Sequence, residues 1–125
     1  MFKHFGRVIV SIIREHTKKR SPEWPKVRKT HLEANPKCAA CGNIKRMQVH
    51  HMDPYHLDPA RELDPKNLIS LCMGPLECHL RIGHGDDFKA YNPRVRDHAK
   101  VTLDKPEHRE AVEGEAKTIR LYEET

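Results

Sequence analysis

The stretch Cys38-Ala39-Ala40-Cys41, followed thirty residues later by Cys72-Met73-Gly74-Pro75-Leu76-Glu77-Cys78-His79, decides how this chain folds. All four cysteines of the protein lie in these two knots. Zinc takes four tetrahedral thiolate or imidazole ligands, and a two-residue gap lets one turn grip an ion twice. Cys38 and Cys41 have that gap. Cys72 and Cys78 are separated by five residues, and Gly74-Pro75 permits the bulged turn this needs. The knots therefore read as the two halves of one structural zinc site, against the alternative of four unrelated thiols.

Working outward, the first knot opens the segment Val49-His50-His51-Met52-Asp53-Pro54, and the run Asn67-Leu68-Ile69-Ser70-Leu71 precedes the second. Met47 to Met52 predicts a short strand ended by Asp53-Pro54, and residues 54–66 a polar loop with three prolines. Asp64-Pro65-Lys66-Asn67 predicts a turn, and Glu77 to Ile82 a helix broken by Gly83-His84-Gly85. Upstream, Ser21-Pro22 predicts the start of a helix with Trp24, Val27, His31 and Leu32 inward and Lys26, Arg28 and Lys29 outward. Residues 2–19 predict a further amphipathic helix, with Phe2, Phe5, Ile9, Ile12 and Ile13 at helical spacing. Beyond Asp86 the pattern weakens to an irregular, loosely packed extension, with a helix expected near residues 115–123.

Composition sets the scale. At 125 residues, 6% aromatic and 33% charged, the chain has room for one small core, and such cores often need a metal to fold. The run Val8 to Ile13 ends in Arg14 without a small-residue cleavage site and is too short to span a bilayer. Metal-bound thiolates in a reducing cytoplasm are thus expected, rather than two disulfides or a membrane partner. Residues 1–50 carry twelve Lys/Arg against three Asp/Glu, a net of +9, whereas residues 51–125 carry −4. A basic half favours a polyanion, with Lys18, Lys19, Arg20, Lys26, Arg28 and Lys29 as phosphate contacts. The alternative is a solvated helical face.

The order Cys-x2-Cys, Val-His-His with Asp-Pro, Asn-Leu-Ile-x-Leu-Cys and Cys-His resembles the HNH endonuclease family over residues 36–85. The resemblance implies an α+β fold: a zinc-stapled ββα-metal core over residues 36–90, an N-terminal basic helical arm over 1–35 and a C-terminal extension over 91–125. It implies that His51 is the general base, that Asn67 holds the loop and orients it, and that His50 and His79 hold a catalytic divalent ion. His84, five positions after His79, would be a further ligand. Two features depart from the family's commonest form: the second cysteine pair is wider, and the position of His50 is often Asp. The second departure bears on the catalytic metal, Mg2+ or Mn2+ for one or two histidines and zinc or Ni2+ for three.

The implied activity is hydrolysis of DNA phosphodiester bonds, in a protein of bacterial, phage or mobile-element origin. An imidazole with a pKa near ~6.5 suits a base at neutral pH. Three rival readings stand beside it. His79 would replace Cys78 as a zinc ligand; the chain would be a non-catalytic, zinc-stapled nucleic-acid-binding module; or the N-terminal helix would dock a partner or form a dimer. His56, His98 and His108 are read as solvated.

Overall fold

The computed structural model describes residues 20–123; the expected helix over residues 2–19, with Lys18 and Lys19, lies outside them. Ser21 opens a turn ahead of the first helix, its Oγ accepting the Glu23 amide at 3.1 Å, and does not cap the helix itself. Helix α1 then runs Trp24–Ala34 with Pro25 in its first turn. Its start is later than the sequence predicts, with Glu23 rather than Ser21 at the N-cap, and the Ser21 amide donates to Glu62 Oε1 at 3.0 Å. Trp24, Val27, His31 and Leu32 are half-buried, as their spacing predicts, and Lys26 and Lys29 are exposed. Arg28, expected outward, is instead half-buried and donates from Nη2 to the Met47 carbonyl at 3.5 Å.

Strands β1 (Met47–His51) and β2 (Leu68–Cys72) pair antiparallel, with Met47 opposite Cys72 and His51 opposite Leu68. All five residues of β2 are buried, because α1 packs against both strands and a π-helical turn (His79–Gly83) touches both as well. A strand covered on both faces reads as an unbroken apolar run rather than as alternation. The turn replaces the α-helix expected from Glu77 to Ile82. The long β1–β2 connection holds two 3-10 turns, Pro59–Arg61 and Pro65–Asn67, and Asp64 caps the second by accepting the Lys66 amide at 2.9 Å.

The C-terminal third departs most from expectation. It forms β3 (Ala90–Tyr91), α2 (Val95–Asp104), α3 (Arg109–Ile119) and β4 (Leu121–Tyr122), with β3 and β4 paired antiparallel. Val95 and Ala99 belong to the same buried cluster as Leu71, Cys72, Cys78 and Ile82. The extension is therefore neither irregular nor loose. Its buried stripes, Val95-Ala99-Thr102 and Val112-Ala116, follow helical spacing with small residues, which carry a weak hydrophobic signal. His98, expected to be solvated, is buried on α2, while His56 and His108 are exposed. Gly85 lets α3 approach: its φ is +61°, and a Cβ there would lie 2.7 Å from the Ala116 carbonyl oxygen.

The architecture is α+β, two small two-stranded sheets among helices. Leu71, Ile82 and Val95 are fully buried, each contributing about 1.5–3 kcal/mol. Among the described residues no helix is long and apolar enough to cross a membrane.

Candidate metal centres and the histidine site

The two cysteine knots meet. Cys38, Cys41, Cys72 and Cys78 place their sulfurs within 4.8 Å of one another. Main-chain bonds cross-tie the knots: the Ala39 amide donates to the Ser70 carbonyl at 2.9 Å, and the Met73 amide to the Arg46 carbonyl at 2.8 Å. Asn43 adds a third tie, donating from Nδ2 to the Gly74 carbonyl at 2.8 Å. Cys41 Sγ and Cys72 Sγ are 3.7 Å apart. Zinc–sulfur bonds of ~2.3 Å at a tetrahedral angle require about 3.8 Å.

The thiols also show why a cation suits them. The Cys38 thiol is pulled down to about 4, chiefly by the hydrogen bond from Cys78. Burial pushes Cys41 up to about 11, and the hydrogen bond to Cys38, with burial, pushes Cys78 up. One thiolate thus suppresses its neighbours, and four become compatible only around a positive ion. Arg109 adds charge at the edge, with Nη1 3.3 Å from Cys78 Sγ and Nη2 donating to the Leu76 carbonyl at 2.8 Å. The cluster fits a metal ion such as zinc. His79 is not part of it.

His79 belongs to a second cluster, with His50 and His84, whose ligand nitrogens lie within 4.8 Å of one another. His79 Nε2 is 3.1 Å from His50 Nδ1 and 3.2 Å from His84 Nε2. Bonds of ~2.1 Å to a common ion require N···N separations of about 3.0–3.4 Å. Two of the three rings turn a proton away from that centre. His84 Nδ1 is 2.6 Å from the Ala90 carbonyl, which accepts only, so the proton is on Nδ1 and Nε2 carries a lone pair. His79 Nδ1 lies 3.3 Å from Met73 Sδ, a weak acceptor, which likewise leaves Nε2 free. Two lone pairs facing each other at 3.2 Å repel without a cation between them.

Burial holds all three imidazoles neutral, the state that binds metal. It lowers His50 well below the usual range and His79 to about 4, and it lowers His84 against an opposing bond from Ala90. Gly83 makes room for the cluster, since a Cβ there would sit 3.3 Å from His50 Cε1 and 3.1 Å from Leu71 Cδ1. Phe88, about half exposed, stands at the rim with its ring centroid 5.0 Å from that of His84.

His51, next to His50 on β1, turns toward α1. Its ring centroid is 4.5 Å from that of Trp24, and its Nε2 lies 2.9 Å from the Glu62 carbonyl. The carbonyl again accepts, so Nε2 carries the proton and Nδ1 the lone pair. Burial lowers the His51 pKa, partly offset by that bond, so the ring is neutral at pH 7. Charge on His51 disfavours protonation of His50 and His79.

Asn67 is fully buried and closes the loop. Its Oδ1 accepts the Asp53 amide at 2.8 Å, and its Nδ2 donates to the carbonyls of Asp53 and Arg61, each at 3.1 Å. The Arg61 and Glu62 carbonyls thus serve Asn67 and His51 in turn. Of the basic residues singled out in the sequence, Arg20 is exposed beside Glu62, with Nη1 3.3 Å from Oε2. Nothing in the sequence marks Glu62, Trp24, Arg109 or the Ala90 carbonyl as part of either site. Glu62 sits in a polar loop without motif, and a main-chain acceptor leaves no trace in side-chain identity. Comparison with known families, curated proteins and solved structures gives no significant match.

Proposed function

We propose that this chain is a metal-dependent endonuclease of the HNH kind, hydrolysing DNA phosphodiester bonds, with β1, β2 and the turn at His79 as its ββα-metal core. One observation supports the reading: adjacent residues of a single strand present two different chemical groups, a candidate metal ligand and an imidazole with a free nitrogen. His50 joins His79 and His84 in a ligand set, while His51 presents a lone pair at Nδ1. In-line displacement needs a base for the water and charge compensation for the departing oxygen.

His51 takes the proton of the attacking water on Nδ1. The developing imidazolium is stabilised by the Glu62 carbonyl on Nε2. Asn67 keeps that carbonyl in place through the adjoining Arg61 peptide. His50, His79 and His84 would hold a divalent ion, which supplies charge neutralisation at the scissile phosphate and the leaving 3′-oxygen. Three imidazoles suit zinc or nickel better than magnesium or manganese, which prefer oxygen ligands. Structural zinc at the four cysteines would tie the Cys38–Cys41 knuckle to the end of β2 and to Cys78 ahead of the His79 turn. The exposed Lys26 and Lys29, with Arg20, would contact phosphates and position the duplex without reading its sequence.

The test incubates zinc-loaded protein with supercoiled plasmid and Mn2+, Ni2+ or Mg2+, beside the His51→Ala variant. Relaxation or linearisation by the wild type alone supports the reading. DNA binding without cleavage under every ion would instead leave a zinc-stapled binding module.

A further inference from the structure

Glu62 is fully buried, and its two ends serve different partners. Its main-chain carbonyl accepts from His51 Nε2 at 2.9 Å. Its side chain reaches back to the segment ahead of α1, Oε1 accepting the Ser21 amide at 3.0 Å and Oε2 pairing with Arg20 at 3.3 Å. The same short segment touches the base from the other side. Arg20 lies over the rings of Tyr55, 4.6 Å away, and Trp24, 5.9 Å away, and Trp24 packs on His51. Ser21 is itself buried and Trp24 half-buried, so the segment is held against the loop at these two residues, while Pro22 and Glu23 stay exposed.

A buried acid costs free energy unless it is paired and hydrogen-bonded, so its retention in a polar loop asks for a role. We propose that Glu62 is a positioning residue that couples the basic arm to the general base: the arm, seated through Ser21, Arg20 and Trp24, fixes the turn whose carbonyl sets the tautomer and aim of His51. Arg20 is both a candidate phosphate contact and the Glu62 partner, so DNA on the arm and geometry at the base are linked through one side chain. The consequence for catalysis rests on the nuclease reading. The coupling of Glu62 to the His51 ring stands or falls without it.

The experiment uses the full, zinc-loaded chain with 15N-labelled histidine, comparing wild type, Glu62→Gln and Arg20→Gln. Wild type is expected to show a single Nε2–H tautomer for His51. Glu62→Gln keeps the volume of the side chain but loses the charge that pairs with Arg20, and is expected to give a mixture of tautomers. In a parallel cleavage assay kcat should fall about tenfold to a hundredfold, with KM within about twofold. A loop pin acting only on stability would lower the melting temperature without altering the His51 ring signals or kcat. Arg20→Gln leaves Glu62 in place and should give a smaller shift of the same kind; it decides the matter if Glu62→Gln does not fold. Unchanged His51 signals in the folded variants would overturn the coupling, whatever the assay reads. Altered signals in a protein that cuts no DNA would leave the coupling standing and remove the nuclease reading.

Discussion

The Nε2 of His51 sits 2.9 Å from the carbonyl oxygen of Glu62, so a main-chain group decides which nitrogen of that imidazole is left free. A side chain at this position with no lone pair to offer cannot take a proton from water. His51→Ala should lower the cleavage rate about 10²–10⁴-fold. Zinc content by atomic absorption and DNA affinity by gel shift should stay near wild type. Cleavage at the wild-type rate would remove His51 from the role of base.

The three-histidine site makes a prediction about pH. Burial lowers the folded pKa of all three imidazoles, to about 4 for His79, so they resist protonation more than ordinary imidazoles do. Three ordinary imidazoles would lose about a thousandfold in metal affinity between pH 7.5 and 5.5. Here the affinity for Ni2+, measured by calorimetry on zinc-loaded protein, should fall by clearly less than that over the same range. The same shifts bear on stability without Ni2+. The unfolded chain takes up protons below pH 6.5 that the folded chain refuses, so stability should fall as pH drops from about 6.5 toward 4. Nickel should oppose that loss.

Removing zinc should unfold the chain. The buried cluster is built around Cys38, Cys72 and Cys78, and α2 and α3 pack onto it. Structural zinc in small domains is worth about 10–16 kcal/mol, comparable to or larger than a domain's whole stability. A strong chelator, or Cys72→Ser, should abolish the cooperative thermal transition seen by circular dichroism. A chelated protein that melts cooperatively at the original temperature would show that the cysteines hold no structural ion.

Arg109 reaches Cys78 Sγ from α3 at 3.3 Å and so ties the C-terminal helix to the cluster. Arg109→Leu should weaken zinc binding about 10–100-fold in a competition assay, the usual effect of losing an outer-shell partner. Arg109→Lys should restore part of it, because a charge remains although the fork to the Leu76 carbonyl is lost.

Lys26 and Lys29 stand exposed on α1. Replacing each with Ala should weaken duplex binding alike for different sequences and reduce the salt slope of log K by about 1 for each phosphate no longer neutralised. An unchanged slope would place the duplex elsewhere on the surface.

What the sequence discloses follows from how each feature is encoded. The cysteine knots, the paired histidines and Asn67 are chemical groups at fixed spacing, and the folded chain brings the four thiols together and gathers His50, His79 and His84. Strand β2 is legible as an apolar run because both its faces are covered. Helix α2 and most of α3 are not legible, because Ala99 and Ala116 bury little area each and look like surface composition. His98 escapes notice for a related reason: its Nδ1 lies 2.7 Å from Asn92 Nδ2, and that pairing across a turn has no motif. The roles of Glu62 and Ala90 rest partly on main-chain carbonyls, which any residue supplies.

The central claim is that His51 and the three-histidine site act together on one phosphate. The most direct measurement is the rate of plasmid relaxation by zinc-loaded protein as Mn2+ or Ni2+ is added in equivalents. The rate should rise and saturate at one ion per chain beyond the zinc, and the response should be absent in both His79→Ala and His51→Ala. A wild-type protein that binds the added ion and the plasmid yet leaves the DNA supercoiled, or a His79→Ala variant that cuts as fast as wild type, would contradict it.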